Sequence, residues 1–186
     1  IGGKRTKDAA ETVKACEMAA SEIFKDLPDT IIISTPHAPC FSDYVVILDS
    51  ENISGNFNDF GEYNIEMSFG NNIKLAEKIS EYSDFEGIGA GFLTKSQKNL
   101  YGVNDRLDHG AAVPLYFINE EFKKHGKKFL VVCISTPFLS LHELFEFGKI
   151  IQRAVEFCEG RVVYVASGDL SHRLSILAPA GYSPEG

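Results

Sequence analysis

Thr30-Ile31-Ile32-Ile33-Ser34-Thr35-Pro36-His37-Ala38-Pro39 is the stretch that decides the fold. Its first half is an unbroken apolar, β-branched run. Such a run predicts a strand over Thr30 to Ser34 that is buried on both faces, as in a parallel sheet. Prolines on each side of His37 then forbid regular structure and stiffen the loop. Moving outward, Phe129 to Ser135 and Arg161 to Ala166 repeat the buried-strand pattern. Tyr44 to Leu48 and Ile65 to Phe69 are shorter strand candidates, and Gly87 to Leu93 is a glycine-rich one. Apolar residues at helical spacing predict helices over 4–26, 72–82, 109–124 and 140–159. Pro28-Asp29 ends the first helix and Gly160 caps the last. Residues 50–62, rich in Asn, Ser, Gly and Asp, and residues 94–107 read as loops. Alternating strands and helices of this kind indicate an α/β layered domain, with a largely parallel central sheet flanked by helices.

The chain has 186 residues, which fits a single domain over 1–186. Apolar residues make up 44% and charged residues 24%, a balance that excludes a disordered chain. No apolar run approaches the roughly eighteen residues of a membrane span, so no membrane partner is expected. Eighteen bases against 26 acids give a net charge of −8, which argues against nucleic acid as a partner. Residues 41–91 hold ten acids and two lysines, so this stretch carries the whole surplus. It reads either as a solvated acidic face or as a cation-attracting rim beside a pocket. Cys16, Cys40, Cys133 and Cys158 form no CxxC pair and read as reduced thiols of a cytoplasmic protein.

Five histidines are candidates for chemistry. His125, in a lysine-rich turn, and His142, beside Glu143, read as surface residues. His37 and His172 each follow a buried strand, and His109 opens a helix. Ligands of open α/β sheets bind beyond the carboxyl ends of the strands. A helix N-terminus also disfavours imidazolium, which keeps a histidine neutral for ligation or hydrogen bonding. A single loop histidine is more often structural than functional, but three in equivalent positions point to one pocket. Spacing alone names no metal, and no HExxH, Walker, GxGxxG or GxSxG pattern occurs. Cys40, three residues after His37, leaves a mixed His/Cys ligand set open, although a lone cysteine is usually a small hydrophobe.

Three segments carry a resemblance: Ser34-Thr35-Pro36-His37-Ala38-Pro39, Leu107-Asp108-His109-Gly110-Ala111-Ala112-Val113-Pro114-Leu115, and Val165-Ala166-Ser167-Gly168-Asp169-Leu170-Ser171-His172-Arg173-Leu174. In order and context they resemble the catalytic B-subunit family of class III extradiol ring-cleavage dioxygenases. Gly55-Asn56-Phe57-Asn58-Asp59-Phe60-Gly61 is similar to a branch grouped with the Memo proteins, whose members are often joined to an AMMECR-type domain. The resemblance implies a mononuclear non-haem Fe(II) site held by two histidines and a glutamate. It implies a small aromatic, catechol-like substrate and O₂ as partners, and paired subunits in a homo-oligomer. His37 matches a metal ligand, His172 the acid–base histidine, and His109 a further catalytic histidine that orients substrate or oxygen. A facial triad of this type leaves open positions for a catecholate and for O₂. A neutral histidine can take a catechol proton and return it.

The family's first histidine ligand, at the end of an N-terminal strand, has no match before His37, and Glu185 does not stand in the context of its glutamate ligand. The expectation is therefore a domain truncated at both ends, in which Fe(II) binds weakly, is absent or is replaced by zinc. The competing readings are a Memo-like metal-binding or redox protein without ring cleavage and, more remotely, a metal-dependent hydrolase.

Overall fold

A computed structural model describes residues 9–169 and 171–185. Helix α1 (Ala10–Lys25) leads into β1 (Thr30–Thr35), and β2 (Val45–Val46) follows the His37 loop. Next come β3 (Asn52–Phe57), a 3-10 turn at Asn58–Phe60, and β4 (Glu62–Gly70). The chain continues through α2 (Ile73–Glu86), β5 (Ala90–Gly91), α3 (Lys95–Tyr101) and α4 (His109–Lys124). It closes with β6 (Leu130–Ser135), α5 (Leu141–Phe157) and β7 (Val162–Ala166). The part of the first predicted helix before Ala9 lies outside the described residues.

Strands β6, β1 and β7 form a parallel sheet in that order, with Ile33 level with Cys133 on one side and Val165 on the other. The central β1 is buried along its whole length. Its alternate side chains serve opposite faces, which is why the run carries no polar alternation. Ile31 and Ile33, with Val131 and Cys133, pack against α1, α4 and the β3–β4 hairpin. Ile32, with Val132 and Ile134, packs against Leu75 and Ile79 of α2 and Phe147 and Ile151 of α5. The sheet is therefore the middle layer between two apolar cores, and the expected α/β architecture is present.

Two segments differ from expectation. Residues 50–62 are not a loop: β3 pairs antiparallel with β4, Ile53 opposite Phe69, with a bulge at Asn56/Phe57. Inward positions 53, 55 and 57 are buried, and glycine is required at 55, where a Cβ would stand 2.9 Å from the Cβ of Leu107. Residues 94–107 are not all loop either, because a capping box built by Thr94 and Gln97 starts α3.

Among the described residues no helix is long and apolar enough to cross a membrane.

Candidate active site

The carboxyl ends of β1 and β6 open onto a cavity of about 510 Å³. Its floor includes Cys133, Ile134 and Ser135 of β6, and His37, Phe60, Arg106 and His109 stand in its wall. This is the position at which an open parallel sheet offers room for a ligand.

The two histidines are held by one knot of hydrogen bonds. Asp108 caps α4, its Oδ1 accepting the N–H groups of Gly110 (2.7 Å) and Ala111 (3.2 Å). The same oxygen accepts the hydroxyl of Thr35, the fully buried last residue of β1, at 2.7 Å. Thr35 Oγ1 in turn accepts the backbone N–H of His37 at 3.3 Å. The cap of the helix and the end of the strand are thus one structure. It brings the rings of His37 and His109 to a centroid separation of 4.0 Å, with Phe60 edge-on to His109 at 5.3 Å. Both imidazoles are solvent-accessible, open to the cavity rather than sealed in the core.

His172 is placed differently. It does not line the cavity; its exposed ring lies 2.5 Å from Asp169, also exposed. The loop that carries it nevertheless starts beside His109, because the Ser167 hydroxyl donates to the carbonyl of Gly110 at 2.6 Å. Leu170, within that motif, lies outside the described residues. Cys40 turns away from the cavity, its sulfur 3.3–3.4 Å from the carbonyl oxygens of Pro36, Ala38 and Thr136. His125 is not simply a solvated turn residue: its ring stacks on Phe24 at 4.2 Å and faces Glu121. His142 is exposed, as expected.

The acidic surplus of residues 41–91 builds no wall here, since Asp59 is its one acid among the residues lining the cavity. Asp49 instead faces Lys98, which also reaches both oxygens of Asp105 at 2.7 and 2.9 Å. Burial alone would raise the Asp105 pKa; hydrogen bonds from Lys98 and Ser50, together with the Lys98 charge, outweigh it and hold the carboxyl below its ordinary range. This ion triad pins the segment that forms one side of the cavity. Residues 101–107 hold none of the candidate histidines and read as loop, yet six of them line the cavity.

Metal ligation is tested by the donor set. His37 and His109 supply two imidazoles, and the nearby Asp108 oxygen is already taken by three donors. Among the described residues no group of three His, Cys, Asp or Glu converges closely enough to hold a metal ion. The described stretch does not by itself complete a facial triad.

A family model described as the catalytic LigB subunit of aromatic ring-opening dioxygenase matches residues 1–185. Protein CA_C1420 of Clostridium acetobutylicum is 40% identical over 186 residues, all of this chain and 39% of that protein. The 3,4-dihydroxyphenylacetate 2,3-dioxygenase of Escherichia coli is 29% identical over 167 residues, 88% of this chain and 54% of that enzyme. The chain therefore spans between about two fifths and just over half of the length of these curated relatives. With the match running from one end of the sequence almost to the other, the chain belongs to the LigB family of aromatic ring-opening dioxygenase catalytic subunits.

Proposed function

We propose that the protein to which this chain belongs is an extradiol-type dioxygenase. It would open a dihydroxylated aromatic ring with both atoms of O₂ and use Fe(II) as its cofactor. The observation that carries this reading is the His37–His109 pair at the mouth of a strand-end cavity, in a chain of the LigB family. The Escherichia coli relative, named as a dioxygenase of a catechol acid, agrees with it. Bound Fe(II) would supply Lewis acidity toward the phenolic oxygens and a site for O₂. His37 is proposed as one of its ligands, with the rest of the set outside the described residues.

The chain's own residues then have separable tasks. His109, capped into place by Asp108, offers its imidazole as a hydrogen-bond partner to a substrate hydroxyl or to oxygen. Phe60 gives the substrate ring an apolar edge to pack against. His172, beside Asp169, takes a proton from a ring hydroxyl and returns it during ring opening. This last role requires His172, whose ring does not line the cavity, to reach the substrate's ring hydroxyl.

The test is oxygen uptake by the full-length protein, loaded anaerobically with Fe(II), over a panel of catechols. Uptake with a ring-opened product is expected. His172→Ala should lower kcat by about 10²–10⁴-fold. Metal binding without oxygen consumption would instead favour the Memo-like alternative.

A further inference from the structure

Strand β4 has an open edge. It pairs with β3 alone, with Ser68 directly opposite Ser54. The carbonyl of Ser54 accepts the N–H of Leu107 at 2.8 Å, so it points away from β4. Opposed residues of an antiparallel pair either exchange both bonds or turn both sets of groups outward. Ser68 therefore turns its N–H and C=O away from β3, and Glu66, two residues earlier, does the same. Among the described residues no hydrogen bond reaches these four backbone groups. Beyond Gly70 the edge closes, because Asn71 bridges to Val131 of β6. The open edge faces a cleft of about 470 Å³ that shares no residue with the strand-end cavity. Its other wall is the end of α4 and the turn after it, with Lys123, Lys127 and Lys128. In a chain of net charge −8, residues 123–128 hold four lysines and no acid. Lys123 and Lys124 are paired with Glu120 and Glu121, whereas the exposed Lys127 and Lys128 enter no ion pair among the described residues. Glu66 is the one acid lining the cleft. It lies about 13 Å along the strand from Gly70, the end at which Leu130 brings the lysine turn against β4.

We infer that the open edge of β4 is a docking site for a short, extended, acidic segment of a partner protein. The segment adds as a strand, its backbone bonding to the N–H and C=O groups of Glu66 and Ser68. Its carboxylates meet Lys127 and Lys128 at the Gly70 end, and Glu66 opposes an acid at the other. The backbone bonds hold any extended chain alike; the lysines select charge and speed the encounter. Lysines beside a strand edge also serve to keep other strands away, a role that would leave the cleft without a ligand. The inference is independent of ring cleavage, since the lysine turn precedes the amino end of β6 while the cavity opens at its carboxyl end.

The probe is a fluorescein-labelled hexapeptide of alternating valine and glutamate. Its binding to the full-length protein is read by fluorescence anisotropy, and protection of the Glu66 and Ser68 amides by hydrogen exchange. The peptide is expected to bind and to protect both amides. Its counterpart with lysine for glutamate should bind at least about tenfold more weakly. Lys127→Glu combined with Lys128→Glu should weaken the acidic peptide by a similar factor, and Glu66→Gln should tighten it. Ser68→Pro removes a donor from the open edge without touching the ladder to β3, and it should weaken binding as well. An acidic peptide N-methylated at every residue should not bind; this control uses the unaltered protein and so does not depend on the proline variant folding. Failure of the acidic peptide to bind overturns the inference, as does equal binding of the glutamate and lysine peptides. Binding that survives N-methylation also overturns it, because charge alone then holds the peptide. So does protection of the Glu66 and Ser68 amides in the protein without peptide, which would show the edge filled by its own chain or by a second copy.

Discussion

Gly110 is the residue whose missing side chain shapes the site. A Cβ there would stand 2.6 Å from Thr35 Oγ1, 2.9 Å from Asp108 Oδ1 and 3.0 Å from the His37 ring. The glycine lets the helix start, the strand end and the imidazole meet without a clash. Gly148, within α5, has nothing within 4 Å of the same built atom. The two glycines therefore make opposite predictions for one substitution. Gly148→Ala should stabilise by about 0.5–1 kcal/mol, the ordinary helical gain. Gly110→Ala should destabilise despite the same propensity gain, and it should shift the ring proton resonances of His37 and His109. Urea unfolding and NMR of the histidine rings check both. The sequence showed Asp-His-Gly as a unit but not why glycine is needed, because the atoms it would strike come from the distant β1.

At the scale of elements, Pro114 explains how α4 is joined to β7. As the sixth residue of the helix it has no N–H to offer the carbonyl of Gly110, four residues earlier. Ser167 fills that vacancy with its hydroxyl. A residue that weakens a helix thus supplies the acceptor that anchors the loop leading to His172. Ser167→Ala should cost about 1–2 kcal/mol by leaving the carbonyl without its donor. In a Pro114→Ala background the helix provides its own N–H, so the same change should cost less. A double-mutant cycle by urea unfolding should return a coupling of about 1 kcal/mol, and additivity would refute the link. The buried strands and α4 were legible because apolar runs and periodicity report burial directly. Strand β3 was not, because its inward positions are Ile53, Gly55 and Phe57, and a glycine chosen for close approach to Leu107 looks like a turn residue. Helix α3 was missed for the opposite reason. It buries nothing, so it has no apolar stripe, and the Thr94…Gln97 capping box was its one readable signal.

Across the whole molecule the cavity depends on loops that the sheet alone does not hold, which is also why its wall was hard to read from the sequence. His37 and His109 could be placed from strand and helix ends; Arg106 could not, since its position depends on ties made far along the chain. The principal tie is Lys98, which joins Asp49, just after β2, to Asp105, just before the cavity wall. Burial pushes the Lys98 ammonium down, but its hydrogen bonds to the two carboxylates prevail and the pKa is raised overall. A raised lysine contributes stability that is fully present below its unfolded pKa and is lost as pH climbs through the folded value. Asp105 is depressed, so its contribution is present above the ordinary carboxylate range and is lost as pH falls through its folded pKa. The triad therefore supports the fold between these two limits. Lys98→Met leaves the Asp49 and Asp105 carboxylates in the triad without their shared cation, at a cost of about 2 kcal/mol near neutrality for partly buried groups. It should also reverse the local acid response: with the cation gone, burial dominates at Asp105, and protonation then relieves the strain instead of breaking a bond. Urea unfolding of the unaltered protein and of Lys98→Met between pH 7 and about pH 4 should show the stability gap narrowing as pH falls. A gap that stays constant over that range would show that Lys98 acts through packing of its aliphatic stem and not through its charge.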